Sequence, residues 1–465
     1  MGLIHKIYAF LPITLQNFLI SVYGYAWKKR RFGGVFKDEL TRFKEREFYS
    51  ELQWFKYLEE ELKRLLCHAY RTVPYYKEKF NEHGVKITDL ENFKMVNLNR
   101  LPFLEKNDLR LFGKSSMLSE LKGAGGEFYS SSGSTGTPTS ILFSKKMHQR
   151  WSAAFEARIR NWAGLTIDNR RGMIGGRRIV VGNTSKGPLY RYNSSEKQVY
   201  FSAYHIAPQT TKNYLQGIQK HKIDYMTGYA VSNFTLARFI KNQGLKAPIL
   251  KAVITSSEKL TKEMRDTFLE VYGCKTYDSY SGVEACGLIS ECENGKLHVS
   301  PDVGIIEIIK ENGLVAKPGE IGEAVCTGLL NFDQPLIRYK IGDLLKLSSD
   351  QTCQCGRNMP VIDEIIGRTE DVIIGNDGRE MVRFHGLFID LINIVEGQVI
   401  QHTLSEFELK IVASIPLSVK EKEILLSRMQ SQLGDITLKI TELDQIPRSE
   451  NGKFKAVISY VTQEK

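Results

Sequence analysis

A short run of small polar residues carries the clearest chemistry in the sequence. From Tyr129 to Pro138 the chain reads Tyr-Ser-Ser-Ser-Gly-Ser-Thr-Gly-Thr-Pro, and Lys145 and Lys146 follow shortly after. Small side chains let the backbone approach a phosphate closely, so that amide N–H groups and hydroxyls converge on its oxygens. A flexible serine/glycine linker is the alternative, which Pro138 and the β-rich run behind it disfavour. No Lys-Ser/Thr pair follows the second glycine, so the run is not a Walker-type loop.

Three cysteines and one histidine form a second set of candidate ligands. Cys292 is followed by His298, and Cys353 and Cys355 lie in a Cys-Gln-Cys-Gly-Arg stretch. Three thiolates and one imidazole suit tetrahedral structural Zn²⁺. Residues 303–330 read as a β-hairpin that could bring the two halves together. With such loose spacing alone, free buried thiols beside a surface histidine are the more usual interpretation.

Five segments in order resemble the adenylate-forming superfamily of acyl-CoA synthetases, peptide-synthetase adenylation domains and luciferases. The serine/glycine run matches its phosphate-binding loop, and the resemblance covers most of residues 125–460. Within the superfamily the chain resembles the phenylacetate-CoA ligase branch. Within that branch it resembles capsular polysaccharide biosynthesis ligases, which share an N-terminal segment like Leu11–Asn17. The four other matching segments are Thr255–Glu258 with Tyr277–Gly287, Asn331–Asp343, Ile366–Gly375 and Ile446–Lys455.

The resemblance implies an ATP site. Ser257 and Glu258 would line the adenine pocket, and Tyr280 would pack near the adenine. Asp343 would chelate the ribose hydroxyls, since one carboxylate accepts both hydroxyl protons. Arg368 would contact ribose or phosphate. The phosphate-binding residues would be Ser130, Ser131, Ser132, Gly133, Ser134, Thr135, Gly136 and Thr137.

The same resemblance assigns two residues to catalysis. Glu284 would hold Mg²⁺, a hard ion that carboxylate oxygens bind beside phosphates. The family commonly has Thr or Ser before this glutamate, whereas Val283 stands here, so that hydroxyl contact is absent or supplied elsewhere. Lys453 matches the lysine that stabilises charge in the acyl-phosphate transition state. Lys455 is the alternative, which the spacing after Pro447 disfavours. In this branch similar Cys/His sets also favour zinc at the second set of ligands, as a structural clip.

The implied fold is α/β, with a large N-terminal domain over residues 1–367 and a small, mobile α+β C-terminal domain over 368–465. The large domain would combine sheets flanked by helices with a β-rich subdomain. Helical spacing predicts helices over 37–82, and alternating β-rich and helical runs follow from about residue 128. In the last hundred residues, strand-like runs at 407–413 and 436–443 flank a helical stretch at 419–433. The hinge would lie at residues 368–371.

Composition fits a folded protein in a reducing compartment. The chain has 465 residues, of which 42% are apolar and 25% charged, and its formal net charge is +11. Seven unevenly spaced cysteines without a convincing signal peptide argue against a disulfide framework, so we expect a cytoplasmic protein. Diffuse positive charge favours anionic ligands or membrane surfaces. No aromatic–basic stripe or helix-turn-helix pattern points to nucleic acid.

The N-terminus is apolar but interrupted. Pro12, Gln16 and Asn17 break it, so it is unsuited to span a bilayer, which takes about 20 apolar residues. Apolar side chains recur at helical spacing from Ile13 to Tyr23, and a basic cluster follows at residues 28–31. This pattern predicts either an interfacial anchor on the inner face of the cell membrane or a helix packed on the protein's own core. Core packing is the commoner outcome for such helices.

The resemblance therefore predicts an ATP-dependent ligase that converts a carboxylic acid into an acyl-AMP and then transfers the acyl group. A thiol acceptor such as CoA would give a thioester, and an amine on a sugar or amino acid would give an amide. Transfer in capsular polysaccharide assembly is the first interpretation and an aryl-acid CoA ligase the second. A non-catalytic nucleotide- or carbohydrate-binding relative is a third, which Val283 favours and Glu284, Asp343 and Lys453 oppose.

Overall fold

The computed structural model describes residues 8, 11–123, 125–130, 139–177, 179–180, 187–258, 260–366, 373–375, 380–381, 387–388, 391, 393–444, 446 and 457–461. Several candidate site residues lie outside these ranges: Ser131, Ser132, Gly133, Ser134, Thr135, Gly136, Thr137, Arg368 and Lys453.

The N-terminal part of the chain is helical. The helices are α1 (Ile13–Phe32), α2 (Phe36–Arg46), α3 (Glu51–Thr72), α4 (Pro74–Glu82), α5 (Ile87–Glu91) and α6 (Lys106–Phe112), with a 3₁₀ turn at Met95–Arg100. A capping box between Ser50 and Gln53 starts α3, because each residue satisfies a backbone N–H at the other. The helical prediction for 37–82 is confirmed. Within the described residues, no helix has the length and apolar content needed to cross a bilayer.

A two-stranded hairpin follows, made of β1 (Glu127–Ser130) and β2 (Ser140–Phe143). The serine/glycine run joins these two strands. Helix α7 (Lys145–Phe155) begins directly after β2, with the Ser144 side chain accepting from Met147 N, and it continues into a π-helical turn at Glu156–Arg160.

One large mixed sheet forms the centre of the fold, with twelve strands among the described residues. Five neighbouring strands are parallel, in the order β5-β3-β6-β7-β8, and β4 pairs antiparallel at the edge. Helices connect them, as expected for parallel neighbours. The elements are β3 (Arg171–Gly175), β4 (Tyr190–Asn193), β5 (Gln198–Ser202), α8 (Thr211–Lys220), β6 (Tyr225–Tyr229), α9 (Ala230–Asn242), β7 (Ala252–Ser256), α10 (Lys262–Tyr272) and β8 (Lys275–Ser281).

Beyond β8 the sheet is antiparallel, in the order β8-β9-β10-β14-β13-β12-β11. One apolar cluster joins this half to α2, α3 and α4, and a second joins the parallel half to α8, α9 and α10. The strands are β9 (Leu288–Glu291), β10 (Leu297–Val299), β11 (Gly304–Ile309), β12 (Ile321–Gly328), β13 (Tyr339–Leu347) and β14 (Val361–Ile365).

The C-terminal part has its own sheet and apolar cluster. Its strands run in the order β19-β18-β17-β20, and α11 (Val419–Leu433) packs with them. The strands are β17 (Ile394–Gln401), β18 (Glu406–Ala413), β19 (Thr437–Glu442) and β20 (Val457–Ser459); a short pair, β15 (Ile373–Ile374) and β16 (Glu380–Met381), precedes them. The predicted strand–helix–strand order is confirmed. The boundary at residue 367 falls where the description of the chain stops, and it stays a prediction.

The fold thus confirms the predicted α/β class. Strand β3, at Arg171–Gly175, pairs with both β5 and β6. The predicted hairpin at 303–330 exists as β11 and β12, and residues 310–320 connect the two strands. The chain turns at Gly313, whose N–H donates to Lys310 O at 2.8 Å, and Ile309 bridges to Val315 across this turn.

Buried charges join the helical layer to the sheet. The Asp302 carboxylate Oδ2 accepts from Arg46 Nε at 2.9 Å and from Arg158 Nη2 at 3.1 Å. The Arg158 side chain is fully buried, on the π-helical turn. A buried charge is tolerated only beside a close partner of opposite charge. Arg46 and Arg158 therefore both depend on the Asp302 carboxylate.

Asp302→Ala should destabilise the protein by about 3–5 kcal/mol, because two buried guanidinium groups lose their shared carboxylate. The urea midpoint of unfolding measures this. Asp350→Ala, which removes the exposed partner of Lys296, is the matched control and should leave the midpoint close to wild type. Equal shifts in the two variants would contradict the assignment.

Candidate active site

The hairpin that carries the serine/glycine run is held at its base by Gln334. Its Oε1 accepts from Leu142 N at 2.6 Å, and its Nε2 donates to Gly113 O at 2.8 Å and to Ser140 O at 3.2 Å. Asn331 Nδ2 also donates to Leu142 O at 3.0 Å. Both side chains belong to the Asn331–Asp343 segment, so one motif positions another. Neither role is visible in the sequence, because a buried amide looks the same there as a surface amide.

Ser130 is the only described residue among the eight candidate phosphate-binding residues. It ends β1 opposite Ser140, and the two hydroxyl oxygens lie 3.3 Å apart. The other seven residues lie outside the described part of the chain.

Thr139, which directly precedes β2, contacts Glu284. Thr139 Oγ1 lies 3.4 Å from Glu284 Oε1, and both residues are buried. Gly282 permits this placement, since a Cβ there would lie 2.4 Å from Glu284 Oε2. Val283 instead packs against the main apolar cluster. The hydroxyl next to this glutamate therefore comes from Thr139, in the segment 145 residues earlier.

A second contact links Tyr280 on β8 to Asp343 on β13, with the phenol donating to Asp343 Oδ2 at 2.7 Å. Burial, and then the Asp343 carboxylate, raise the pKa of Tyr280. Three strands separate β8 and β13 in the sheet order. In a flat sheet that separation would be about 19 Å at roughly 4.8 Å per strand, so the sheet must curve back on itself here.

Ser257 and Glu258 directly follow β7. Ser257 has a φ of 73°, an uncommon conformation for a non-glycine residue that often marks a functional turn. Glu258 Oε2 accepts from Val231 N at 2.7 Å, at the first turn of α9. A carboxylate is favourable there because the first helical N–H groups carry partial positive charge.

These residues gather at one edge of the parallel strands. Tyr229, Ser256 and Ser279 are register partners across β6, β7 and β8, so the carboxyl ends of the three strands lie together. Such an edge is where open α/β sheets bind ligands. Ser257 and Glu258 follow β7 at this edge, while Tyr280 and Glu284 lie at the end of β8 and just beyond it.

A separate cluster contains the four predicted metal ligands. One ligand atom from each of Cys292, His298, Cys353 and Cys355 lies within 4.8 Å of the others. The Sγ atoms of Cys292 and Cys353 are 3.7 Å apart, and Cys355 Sγ is 3.4 Å from His298 Nε2. The four residues come together because β14, which follows the two late cysteines, pairs with β10, which carries His298. The β11–β12 hairpin was the expected connection, and the strand pairing provides it instead.

The surroundings hold this cluster in place. His298 Nδ1 lies 3.2 Å from Met359 O, which orients Nε2 toward the thiols. Trp162 packs edge-on to His298 at 6.0 Å between ring centroids. Arg357 lies 4.4 Å above the Trp162 ring and pairs with Glu47 after α2. The cluster therefore lies where the helical layer meets the sheet.

Asp278, within the second motif, is a titratable residue that the sequence analysis did not single out. Desolvation and the neighbouring Glu291 carboxylate raise its pKa to about 7, against hydrogen bonds from Ser279 N and Thr255. Arg265 is paired with Glu291, with Nη2 at 2.7 Å from Oε2. Its position in a motif was the available signal, but its burial depends on β9 lying alongside β8.

Asp278→Asn should become more stabilising relative to wild type as the pH rises from about 5 to 8. The folded carboxyl keeps a proton that the unfolded chain releases near pH 4, so the wild-type protein loses stability as the pH rises from about 4 to about 7, and the loss is complete above that. The cost is roughly 1.4 kcal/mol for each unit by which the pKa is raised. Urea unfolding of both proteins at the two pH values measures it. The same difference in unfolding free energy at both pH values would refute the expectation.

Comparison with known proteins finds relatives over the whole chain. Residues 377–460 match the CapK C-terminal domain family. Protein CapK of Staphylococcus aureus is 24% identical over 99% of this chain and all of its own length. The phenylacetate-coenzyme A ligase of Thermus thermophilus is 28% identical over 86% of this chain and 95% of its own. A 2-hydroxyisobutyryl-CoA ligase structure with an acyl-AMP superposes with a TM-score of 0.55 at 20% identity, covering 89% and 91% of the two chains, so the fold is shared.

Proposed function

We propose that the chain is an adenylate-forming, AMP-forming ligase, which activates a carboxylic acid with ATP and transfers the acyl group to an acceptor; its similarity to CapK and to phenylacetate-CoA ligases supports this. One observation supports the proposal most. Two contacts, Thr139–Glu284 and Tyr280–Asp343, join motifs that are far apart in the sequence. Both contacts are made beside the carboxyl ends of the parallel strands, where open α/β sheets commonly bind ligands.

In the first step, a carboxylate oxygen of the acid attacks the α-phosphorus of ATP. The bond from that phosphorus to the bridging oxygen breaks, and pyrophosphate leaves with the electron pair. The amides of residues 130–137 bind the phosphates, and Asp343 accepts from the ribose hydroxyls. Glu284 would hold Mg²⁺, and its buried, hydroxyl-flanked carboxylate suits a hard cation; the ion would neutralise phosphate charge there.

Lys453 supplies the positive charge that the transition state needs. Charge develops on the phosphate oxygens as the acyl–oxygen–phosphorus bond forms, and a positioned ammonium is worth most at that moment. The C-terminal domain, from residue 368, then rotates at residues 368–371 with Arg368 beside the nucleotide. In the second step the acceptor attacks the acyl carbon, and AMP leaves with the electron pair of the acyl–oxygen bond.

Lys453→Ala should reduce carboxylate-dependent ATP–pyrophosphate exchange by about 10²–10³-fold, as expected for loss of one transition-state charge. Lys455→Ala is the matched control, two positions away, and should retain most of the exchange. The measurement uses the full chain with a panel of arylcarboxylic acids, alkylcarboxylic acids and amino acids. No exchange with any acid, or equal losses in the two variants, would sink the proposed function.

For the acceptor we propose transfer in cell-surface polysaccharide assembly, supported by the similarity to CapK over the full length of both chains. The acceptor is then an amine or thiol on a precursor. The similarity to phenylacetate-CoA ligases supports the alternative, a CoA thioester of an aryl acid. Product analysis by mass spectrometry with and without CoA separates them. An acyl-CoA that forms from one aryl acid at high kcat/KM would favour the alternative.

We also propose a structural Zn²⁺ on Cys292, His298, Cys353 and Cys355. Tetrahedral zinc with bonds of about 2.3 Å to sulfur and 2.0–2.1 Å to nitrogen places sulfur atoms roughly 3.8 Å apart and sulfur and nitrogen roughly 3.5 Å apart. The corresponding separations here are 3.7 and 3.4 Å. Four protein ligands would close the coordination shell, so the ion would fasten the β13–β14 loop to β9 and β10.

The purified protein should contain about one zinc per chain. Cys355→Ser should lose the metal and lower the melting temperature, because the clip that joins the loop to the strands is gone. Cys67→Ser removes a thiol outside the cluster and should keep both the zinc content and the melting temperature. Elemental analysis and calorimetry measure the two quantities. Wild-type protein purified without zinc and unresponsive to added zinc would contradict the assignment.

We place the reaction in the cytoplasm, at the inner face of the cell membrane. No disulfide joins any of the seven cysteines, all of which lie within the described residues, in accord with a reducing compartment. The peripheral contact would be made through α1.

A further inference from the structure

Helix α1 is oriented with its apolar side toward solvent. Gln16 and Gly24 are its buried residues. In contrast, Phe18 is 61% exposed and Val22 is 54% exposed. Their spacing continues a stripe along one side of the helix, since residues three and four apart share a face. The exposed apolar stripe consists of Leu15, Phe18, Leu19, Val22, Tyr23 and Tyr25.

The polar side of α1 faces the sheet because it covers an edge strand. Strand β4 is the last strand of the large sheet, so some of its N–H groups lack a neighbouring strand. Asn17 Oδ1 accepts from Tyr192 N at 2.9 Å, and Ser21 Oγ accepts from Ser194 N at 3.0 Å. Gln16 Oε1 accepts from the Arg191 guanidinium.

The helix cannot turn its apolar stripe inward without losing these bonds. Gly24 adds a steric constraint, because a Cβ at this position would lie 2.2 Å from Asn193 Nδ2. Core packing was the favoured expectation for this segment. The helix does pack on the protein, through these polar side chains and through Trp27 and Phe32, but the apolar stripe stays exposed.

The charge on α1 is entirely positive. Its sequence contains four basic residues and no Asp or Glu. Arg31 pairs with Glu196, and Arg30 Nη2 donates to Phe143 O at 2.8 Å. Lys28 and Lys29 have no ion-pair partner within the described residues, and Lys29 is exposed on the same side as the apolar stripe, whereas Lys28 shares the face of Ser21 and Gly24. An apolar stripe that ends in the exposed Lys29 matches the chemistry of an anionic lipid surface.

We propose that α1 is a docking surface for an anionic lipid bilayer. The helix would lie in the plane of the interface, with the apolar side chains reaching the acyl chains, the tyrosines at the headgroups and Lys29 on anionic lipid. A second copy of this chain is the less suitable occupant. Two paired α1 helices would present only basic charged side chains to each other, because α1 contains no acidic residue.

Docking would also place the phosphate-loop hairpin near the bilayer. Trp27 packs on His148 at 4.9 Å and on Tyr129, next to Ser130, at 6.2 Å between ring centroids. If the proposed adenylation holds, the acyl-AMP is formed within reach of a lipid-borne acceptor. The docking itself does not depend on the reaction.

The test is sedimentation of the full chain with sucrose-loaded vesicles of phosphatidylcholine alone or with 30% phosphatidylglycerol. We expect binding to the anionic vesicles that weakens as salt rises. Phe18→Ser/Val22→Asn should weaken vesicle binding by about tenfold or more, because two apolar side chains that would be buried in the bilayer are lost. Lys29→Gln should weaken binding to anionic vesicles and reduce its salt dependence.

Val96→Ser/Ile249→Asn is the matched control, since these apolar residues are equally accessible and lie outside α1. It should bind like wild type. Circular dichroism and pyrophosphate exchange in vesicle-free buffer show whether each variant is folded, so failure of docking is separate from failure of the ligase function. Absence of vesicle binding overturns the proposal. So does a dimer in light scattering that Phe18→Ser/Val22→Asn dissociates, since the stripe then serves a second copy.

Discussion

A carboxylate removed from water needs a close partner, and much of this protein is arranged to supply partners. Glu284 is buried beside the Thr139 hydroxyl, and Asp343 accepts from the Tyr280 phenol. Both carboxylates can lie at one edge only because β13 curves back toward β8. The curvature in turn depends on the antiparallel half of the sheet, which continues the parallel half without a break. The architecture of the sheet therefore decides whether the candidate nucleotide site exists.

The same need for partners explains how separate layers are joined. Asp302 binds two buried arginines, one on α2 and one on the π-helical turn. Nearby, Arg357 connects the end of α2 to the cysteine–histidine cluster through Glu47 and the Trp162 ring. Directional, mutually dependent contacts of this kind give the helical layer one position on the sheet. Apolar packing alone is less selective, because hydrophobic contacts are not directional.

Helix α1 turns polar side chains toward the protein and leaves apolar ones exposed. An uncovered strand edge exposes N–H groups that favour aggregation, and α1 protects the edge of β4 with side-chain oxygens. The helix consequently presents its apolar side chains to the outside. A binding surface and the protection of the sheet thus follow from one orientation. The hairpin of β1 and β2 lies against the same helix, which couples the position of the phosphate loop to whatever α1 contacts.

The sequence by itself determined the α/β class, most element positions, the motif order and, through the family resemblance, the four residues of the cysteine–histidine cluster. The element positions follow from local patterns, such as the helical spacing over 37–82, which depend on near neighbours. The sequence could not determine that Thr139 supplies the hydroxyl at Glu284, that Gln334 supports the hairpin, or that desolvation raises the pKa of Asp278. Only the tertiary structure decided the outward face of α1 as well. Hydrogen bonding, burial and electric fields depend on residues far along the chain, and strand order brings those residues together.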